Sequence, residues 1–191
     1  GFFTIDRSNG IELGLRAKLR FDTDGQPKNI FNSDGNGNYI FAPGVAPGQL
    51  FPVAVWSFEW SINSDFDSNN PTGNKLDDFS YLFEFDFDPS SNTAFGAIDV
   101  INFPVPGGWD HAIGDNSTPA EGGVSANGDA SVYSNLIATS NLAQASQQAH
   151  WWLGAGPNGF DPTVSGIYTF RLSAFDGQTQ LASTSMNVIV R

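Results

Sequence analysis

Four groups of acidic and amide side chains carry the chemistry that residue type and spacing in this chain suggest. Asn32, Asp34, Asn36 and Asn38 occupy the first, third, fifth and seventh places of an EF-hand loop, with Gly37 at the sixth. The twelfth place, where a bidentate Glu would close that loop, is Pro43, so the segment is not an EF-hand. Asp65, Asp67 and Asn69, followed by Asp77 and Asp78, form the densest group; Asp22 and Asp24 precede Gly25, and Asp110 and Asp115 bracket His111. Hard oxygen ligands converging from loops suit Ca²⁺ in the weak range of extracellular modules. Ca²⁺ is therefore the expected cofactor, first of all at Asp65 and Asp67. Asp, Asn and Gly are also what tight turns demand, and both readings of these groups stand at this point.

A second chemistry is aromatic. Trp109 follows Pro106-Gly107-Gly108 in a loop-like stretch, and Trp151-Trp152 sits where a helical pattern ends. Exposed rings in such places stack on the apolar C–H faces of sugars, so Trp109, Trp151 and Trp152 are candidate carbohydrate-binding residues. The alternative is that they plug the end of the fold. Trp56 and Trp60 share an alternating face with Phe58 and belong to the core. His111 and His150 lie far apart in unlike contexts and make no zinc site. No nucleophile elbow, His-Glu-x-x-His helix or phosphate loop is present, and no particular carboxylate pair stands out for glycoside hydrolysis.

The elements that must position these residues are strands. In residues 11–21 Ile11, Leu13, Leu15, Ala17, Leu19 and Phe21 alternate with Glu12, Arg16, Lys18 and Arg20, the pattern of a half-buried strand. Residues 53–62 place Ala54, Trp56, Phe58, Trp60 and Ile62 on one face. Residues 79–87 place Phe79, Tyr81, Phe83, Phe85 and Phe87 inward, with Ser80, Glu84 and Asp86 outward. Shorter strands are expected at 28–31, 38–42 and 95–101. In the last quarter, two alternating runs flank Asp176-Gly177, the signature of an antiparallel hairpin with one buried side. Residues 102–128 read as a long loop. Residues 129–149 read as helical, with Asp129 as N-cap and Ser140 capping a second short helix through 148. The cations at 16, 18 and 20 and the acids at 84, 86 and 88 would make cross-strand pairs if their strands were neighbours, the alternative being two solvated faces. The sum is one domain over 1–191: an all-β, immunoglobulin-like antiparallel β-sandwich carrying a loop and helix insertion over 102–149. No internal repeat or domain linker is evident.

The formal charge of −12 argues against nucleic acid and anionic lipid as partners. There is no Cys, so neither a disulfide framework nor a thiolate site exists. No apolar run is long enough to span a membrane, and no signal peptide is visible, as expected of a mature secreted chain.

The stretches IELGLRAKLRFD, DHAIGDNST and YTFRLSAFDGQTQLASTSMNVIV resemble secreted bacterial proteins of the PEP-CTERM class, exported proteins that carry a short C-terminal sorting tag. The sequence stops at Arg191 without the Pro-Glu-Pro tag, apolar helix or basic end of that class. The resemblance implies export, attachment to the cell surface and a link to exopolysaccharide or biofilm matrix. It implies no catalytic residues.

The leading expectation is thus a non-enzymatic, secreted, acidic structural protein of the cell surface or matrix, binding itself or a polysaccharide. Phe2, Phe3 and Ile5 form a short apolar strand hinged at Ser8-Asn9-Gly10. Such a strand pairs either with its own sheet or with another subunit, and the second mode would grow a fibre. The runner-up is a Ca²⁺-dependent carbohydrate-binding module.

Overall fold

A computed structural model describes residues 3–103, 111–154 and 159–191. Two sheets pack face to face. The first is built from β1 (Thr4–Ser8), β2 (Ile11–Phe21), β5 (Trp56–Asn63), β9 (Leu142–Gln148) and β8 (Ala112–Gly114), in the order β1-β2-β5-β9-β8, with β3 (Pro27–Ile30) also paired to β2. The second runs β4-β11-β10-β6-β7, from β4 (Asn38–Phe41), β11 (Thr179–Val190), β10 (Gly166–Asp176), β6 (Ser80–Asp86) and β7 (Phe95–Asp99). The pairings are antiparallel except that of β4 with β11, which is parallel. The fold is an all-β sandwich, and this parallel edge makes its second sheet mixed.

Strict alternation drives the layering. Leu13, Leu15 and Ala17 of β2 and Phe58, Trp60 and Ile62 of β5 are fully buried, and they meet Phe83 of β6 and Phe170 and Leu172 of β10 across the interface. Each of the Leu, Ile and Phe side chains contributes about 1.5–3 kcal/mol by leaving water. The rings interlock: Phe58 lies 4.8 Å from Phe170 and 5.5 Å from Phe83 between centroids.

The structure corrects three sequence expectations. Residues 142–148, expected as a second short helix, are β9, a central strand between β5 and β8. Its inward residues Ala143 and Ala145 stand opposite Ile62 and Trp60. Small side chains there accommodate the large neighbours, so the strand lacks the β-branched residues that usually mark one. Of the expected helical stretch, Ala130–Thr139 forms α1, with Asp129 capping it by accepting from Ser131 and Val132 backbone N–H at 2.8 and 3.1 Å. A second short helix, α2, spans Ala149–Leu153.

The cations of β2 do not face β6, which lies in the other sheet. Arg16 and Lys18 both pair with Glu59 of β5, and Glu84 stands opposite Arg171 of β10. Asp86 does not point outward into solvent. It is 1% exposed and accepts from the backbone N–H of Asp88 and Ala94 at 3.0 and 2.8 Å, closing the β6–β7 connection.

The N-terminal strand lies on its own sheet. β1 pairs with β2 from Thr4↔Leu15 to Ser8↔Ile11, through an Asn9-Gly10 turn with φ of 51° and 78°, the positive-φ pair that two-residue hairpins require. It also reaches the second sheet: Asp6 accepts from Ser183 N–H at 2.8 Å, and Asn9 donates to the Leu181 carbonyl at 2.6 Å. Phe3 packs on Gly14, where a Cβ would sit 3.0 Å from its ring, and on the Arg16 guanidinium at 4.2 Å. Ile5 is 46% exposed; Phe2 lies outside the described residues.

Candidate functional site

The acidic loops are held by their own carboxylates. Asp34 accepts from the backbone N–H of Asn36 at 2.7 Å and Asn38 at 3.2 Å, and from the Asn38 side chain at 2.8 Å; these bonds, the Asn38 side chain foremost, hold its pKa below the usual range. Asn32 takes φ 45° in the same turn system. Asp67 accepts from Asn69 N–H at 3.0 Å and the Asn70 side chain at 3.1 Å. Asp65 is buried and accepts from Thr72 N–H, Thr72 Oγ1 and Gly73 N–H at 2.8, 2.9 and 3.0 Å. Burial pushes its pKa up, but those bonds and the Lys75 charge outweigh that and bring it below the ordinary value. Asp77 and Asp78 sit in the 3₁₀ turn at 76–78, where Asp78 accepts from Lys75 N–H at 2.7 Å. Among the described residues no three acidic or His side chains gather as a metal-ligand group.

Asp65→Ala is expected to lower stability by about 1–3 kcal/mol, because it orphans two backbone donors under a covered loop. Urea unfolding checks this, and the loss should be equal in EDTA and in millimolar Ca²⁺. A loss seen only in Ca²⁺ would mean that the carboxylate acts as an ion ligand instead.

The candidate rings separate. Trp109 lies outside the described residues. Trp152 is 7% exposed and donates from Nε1 to Gln147 Oε1 at 2.9 Å, a plug in the core. Trp151 is 55% exposed, with the His150 ring set against it edge-on at 6.0 Å. His111 is buried against the Trp60 ring at 4.8 Å and bonded to the Tyr133 hydroxyl at 3.1 Å, which ties α1 to the sandwich.

The sandwich opens at one end into a cleft of about 430 Å³, within the size range of small-ligand sites. One wall is the β6–β7 connection, with Phe87, Asp88, Pro89 and Ala94. The other is the segment before β10, with Gly159, Phe160, Asp161 and Val164. Leu153 of α2 and Tyr168 of β10 complete the lining. The floor continues the aromatic core: Phe160 and Tyr168 lie 5.8 Å apart, and both contact Trp56, at 6.0 and 5.8 Å.

The two walls are built alike. Phe87-Asp88-Pro89-Ser90 and Phe160-Asp161-Pro162-Thr163 repeat one pattern. In each, the Asp accepts the backbone N–H two residues on, from Ser90 at 2.9 Å and from Thr163 at 2.8 Å. Each is also anchored: Ile167 N–H donates to Pro89 O at 3.0 Å, and Gly44 N–H to Pro162 O at 2.7 Å. Gly166 permits the first approach, since a Cβ there would lie 2.2 Å from Pro89 O. The Asp88 and Asp161 carboxyls stay below the usual range because of these bonds, chiefly the Ser90 backbone for the one and the Thr163 side chain for the other. Burial, and then the charges of Asp161 and Asp86, push the Tyr168 hydroxyl up to about 12. The cleft therefore offers aromatic faces, two ionised acceptors and one protonated hydroxyl.

A smaller hollow of about 210 Å³ lies on the outer face of the first sheet, beside Phe3, Arg16, Glu59, Gln144 and Ser146. Its charged groups are already paired with one another, so it serves the frame. Sequence reasoning placed Phe87 in the core and Asp88 in a row of acids that could make cross-strand pairs, and missed Phe160 and Asp161. The repeated Phe-Asp-Pro tripeptide was their signal, too short to stand out as a repeat.

No family model, curated protein or solved structure matches this chain.

Proposed function

We propose that this domain is a non-catalytic carbohydrate-binding module of a secreted, matrix-associated protein, holding a sugar unit of an extracellular polysaccharide in the cleft at the end of the sandwich. The observation that carries the reading is the pair of matched Phe-Asp-Pro turns facing one cleft. Sugars present apolar C–H faces to rings and hydroxyl donors to carboxylates, and this lining supplies both partners. Trp151, two positions before Leu153 of the lining, adds an exposed ring for a chain running beyond the cleft. Secretion and the matrix setting rest on the family resemblance and the acidic surface. The fibre-forming alternative draws on β1, and pairing in trans would first have to open the Asn9-Gly10 hairpin and release the Asp6 and Asn9 bonds to β11.

Affinity electrophoresis through gels containing soluble polysaccharides, neutral and amino-substituted, tests the reading. Retardation by at least one polymer is expected. Trp151→Ala should weaken it roughly 2- to 10-fold, the loss of one stacking contact of about 0.5–1.5 kcal/mol, with an unchanged circular dichroism spectrum. No retardation by any polymer would overturn the proposal.

A further inference from the structure

We infer that the cleft selects a sugar bearing a protonated amine, the ammonium seating between Asp88 and Asp161 over the aromatic floor; this rests on the carbohydrate-binding reading and names its ligand class. Among the described residues no Lys, Arg or His belongs to the lining. Two carboxylates facing one small apolar-floored space therefore lack an internal counter-ion, and each spends one oxygen on its own turn. A neutral ligand would cover both carboxylates without supplying a counter-ion. A cationic ligand supplies one and gains the attraction of ring faces for an ammonium.

The Tyr168 side chain adds a second, independent indication. The residue is 3% exposed and lines the cleft, and among the described residues no protein group hydrogen-bonds its hydroxyl. The body of the ring is buried while the hydroxyl is open to the cleft, where a ligand or water completes its hydrogen bonding. As a protonated phenol it donates to a ring oxygen or hydroxyl, which is what an amino sugar offers beside its ammonium. A lysine side chain offers the ammonium but no such acceptor. Acidic polysaccharides are excluded by the same carboxylates, through like-charge repulsion.

Isothermal titration at about pH 5.5, where both the carboxylates and a sugar amine are charged, tests this with three probes: a β-1,4-linked glucosamine tetramer, its fully N-acetylated counterpart, and tetralysine. The glucosamine tetramer should bind at least tenfold more tightly than the acetylated one, with affinity falling as salt rises. Asp88→Asn/Asp161→Asn keeps the turn acceptors and removes the charge. It should abolish that preference with the circular dichroism spectrum unchanged. Tyr168→Phe should weaken the glucosamine tetramer several-fold and leave tetralysine unaffected. Equal affinity for the two tetramers, a preference retained in the double Asn variant, or binding of neither tetramer would overturn the amine assignment. Tetralysine binding tighter than the glucosamine tetramer would overturn the sugar. In each of these cases retardation by a neutral polysaccharide gel would leave the broader carbohydrate-binding reading standing, and its absence would remove both.

Discussion

Glu59→Ala should be among the most damaging single substitutions in the chain, lowering stability by about 3–5 kcal/mol. Glu59 is 8% exposed on the outer face of the first sheet, Lys18 is 5% exposed, and both Lys18 and Arg16 pair with the one carboxylate. The Arg16 guanidinium is held between the rings of Phe3 at 4.2 Å and Phe31 at 4.5 Å, so it cannot swing to solvent without dismantling that cover. Removing the acid leaves two cations with no partner on a covered surface. The damage comes from the stranded charges, so Lys18→Met/Glu59→Leu should recover the share owed to Lys18, the more buried of the two cations, while Arg16 stays unpaired. Urea denaturation of the three proteins decides it. If the double variant is as unstable as Glu59→Ala, the account of stranded charge fails.

The same pairing fixes a pH dependence. Burial pushes the Glu59 pKa up, but the hydrogen bond and charge of Lys18, then those of Arg16, more than compensate, and the folded value lies below its ordinary 4.5. A carboxylate with a depressed folded pKa stabilises fully above its unfolded value and loses that contribution as pH falls through the folded one. The domain should therefore hold its stability down to about pH 5 and lose it steeply below about pH 4. Glu59→Gln should show a shallower acid limb. An identical acid limb in that variant would mean that other carboxylates set it.

Trp56→Ala is the second large effect, about 3–5 kcal/mol. Trp56 is 2% exposed and touches four rings: Phe41, Phe160, Tyr168 and Phe170, at 6.4, 6.0, 5.8 and 6.3 Å. Its deletion leaves a cavity beneath Phe160 and Tyr168, so the floor of the cleft should collapse and ligand binding vanish even where the variant remains folded. Trp56→Phe is the informative control. The Trp56 indole N–H is buried without a hydrogen-bond partner among the described residues, so replacing it with Phe sheds area and also removes an unpaired donor. A cost below about 2 kcal/mol is expected. A Phe variant as damaged as the Ala variant would show that indole shape, and not ring burial, holds this end of the core.

Much of the sandwich was legible because alternation is a local signal. Ile11 to Phe21, Trp56 to Ile62 and the hairpin around Asp176-Gly177 each declare a buried face within a few residues. β9 escaped because its inward positions are Ala143, Ala145 and Gln147, which are set by Trp60 and Ile62 on the neighbouring strand. Asp86 escaped for a related reason: alternation assigned it to the outer face, while the turn that buries it forms only when Ala94 folds back. The acidic groups could not be decided from spacing at all. Ion ligands and turn formers are the same residue types, and only the structure shows the bonds by which Asp34 and Asp65 close their loops. The cleft depends on two loops distant in sequence, and its single local trace was one tripeptide occurring twice.

The central claim is that the paired Phe-Asp-Pro turns form the binding surface. Two-dimensional ¹H–¹⁵N NMR of the labelled domain, titrated with the glucosamine tetramer, tests it most directly. Saturable shift changes confined to 87–94, 159–168 and the α2 segment around Trp151 and Leu153 are expected. Changes centred instead on the β1–β2 hairpin or the 65–78 loop, or no changes at millimolar ligand, would contradict it.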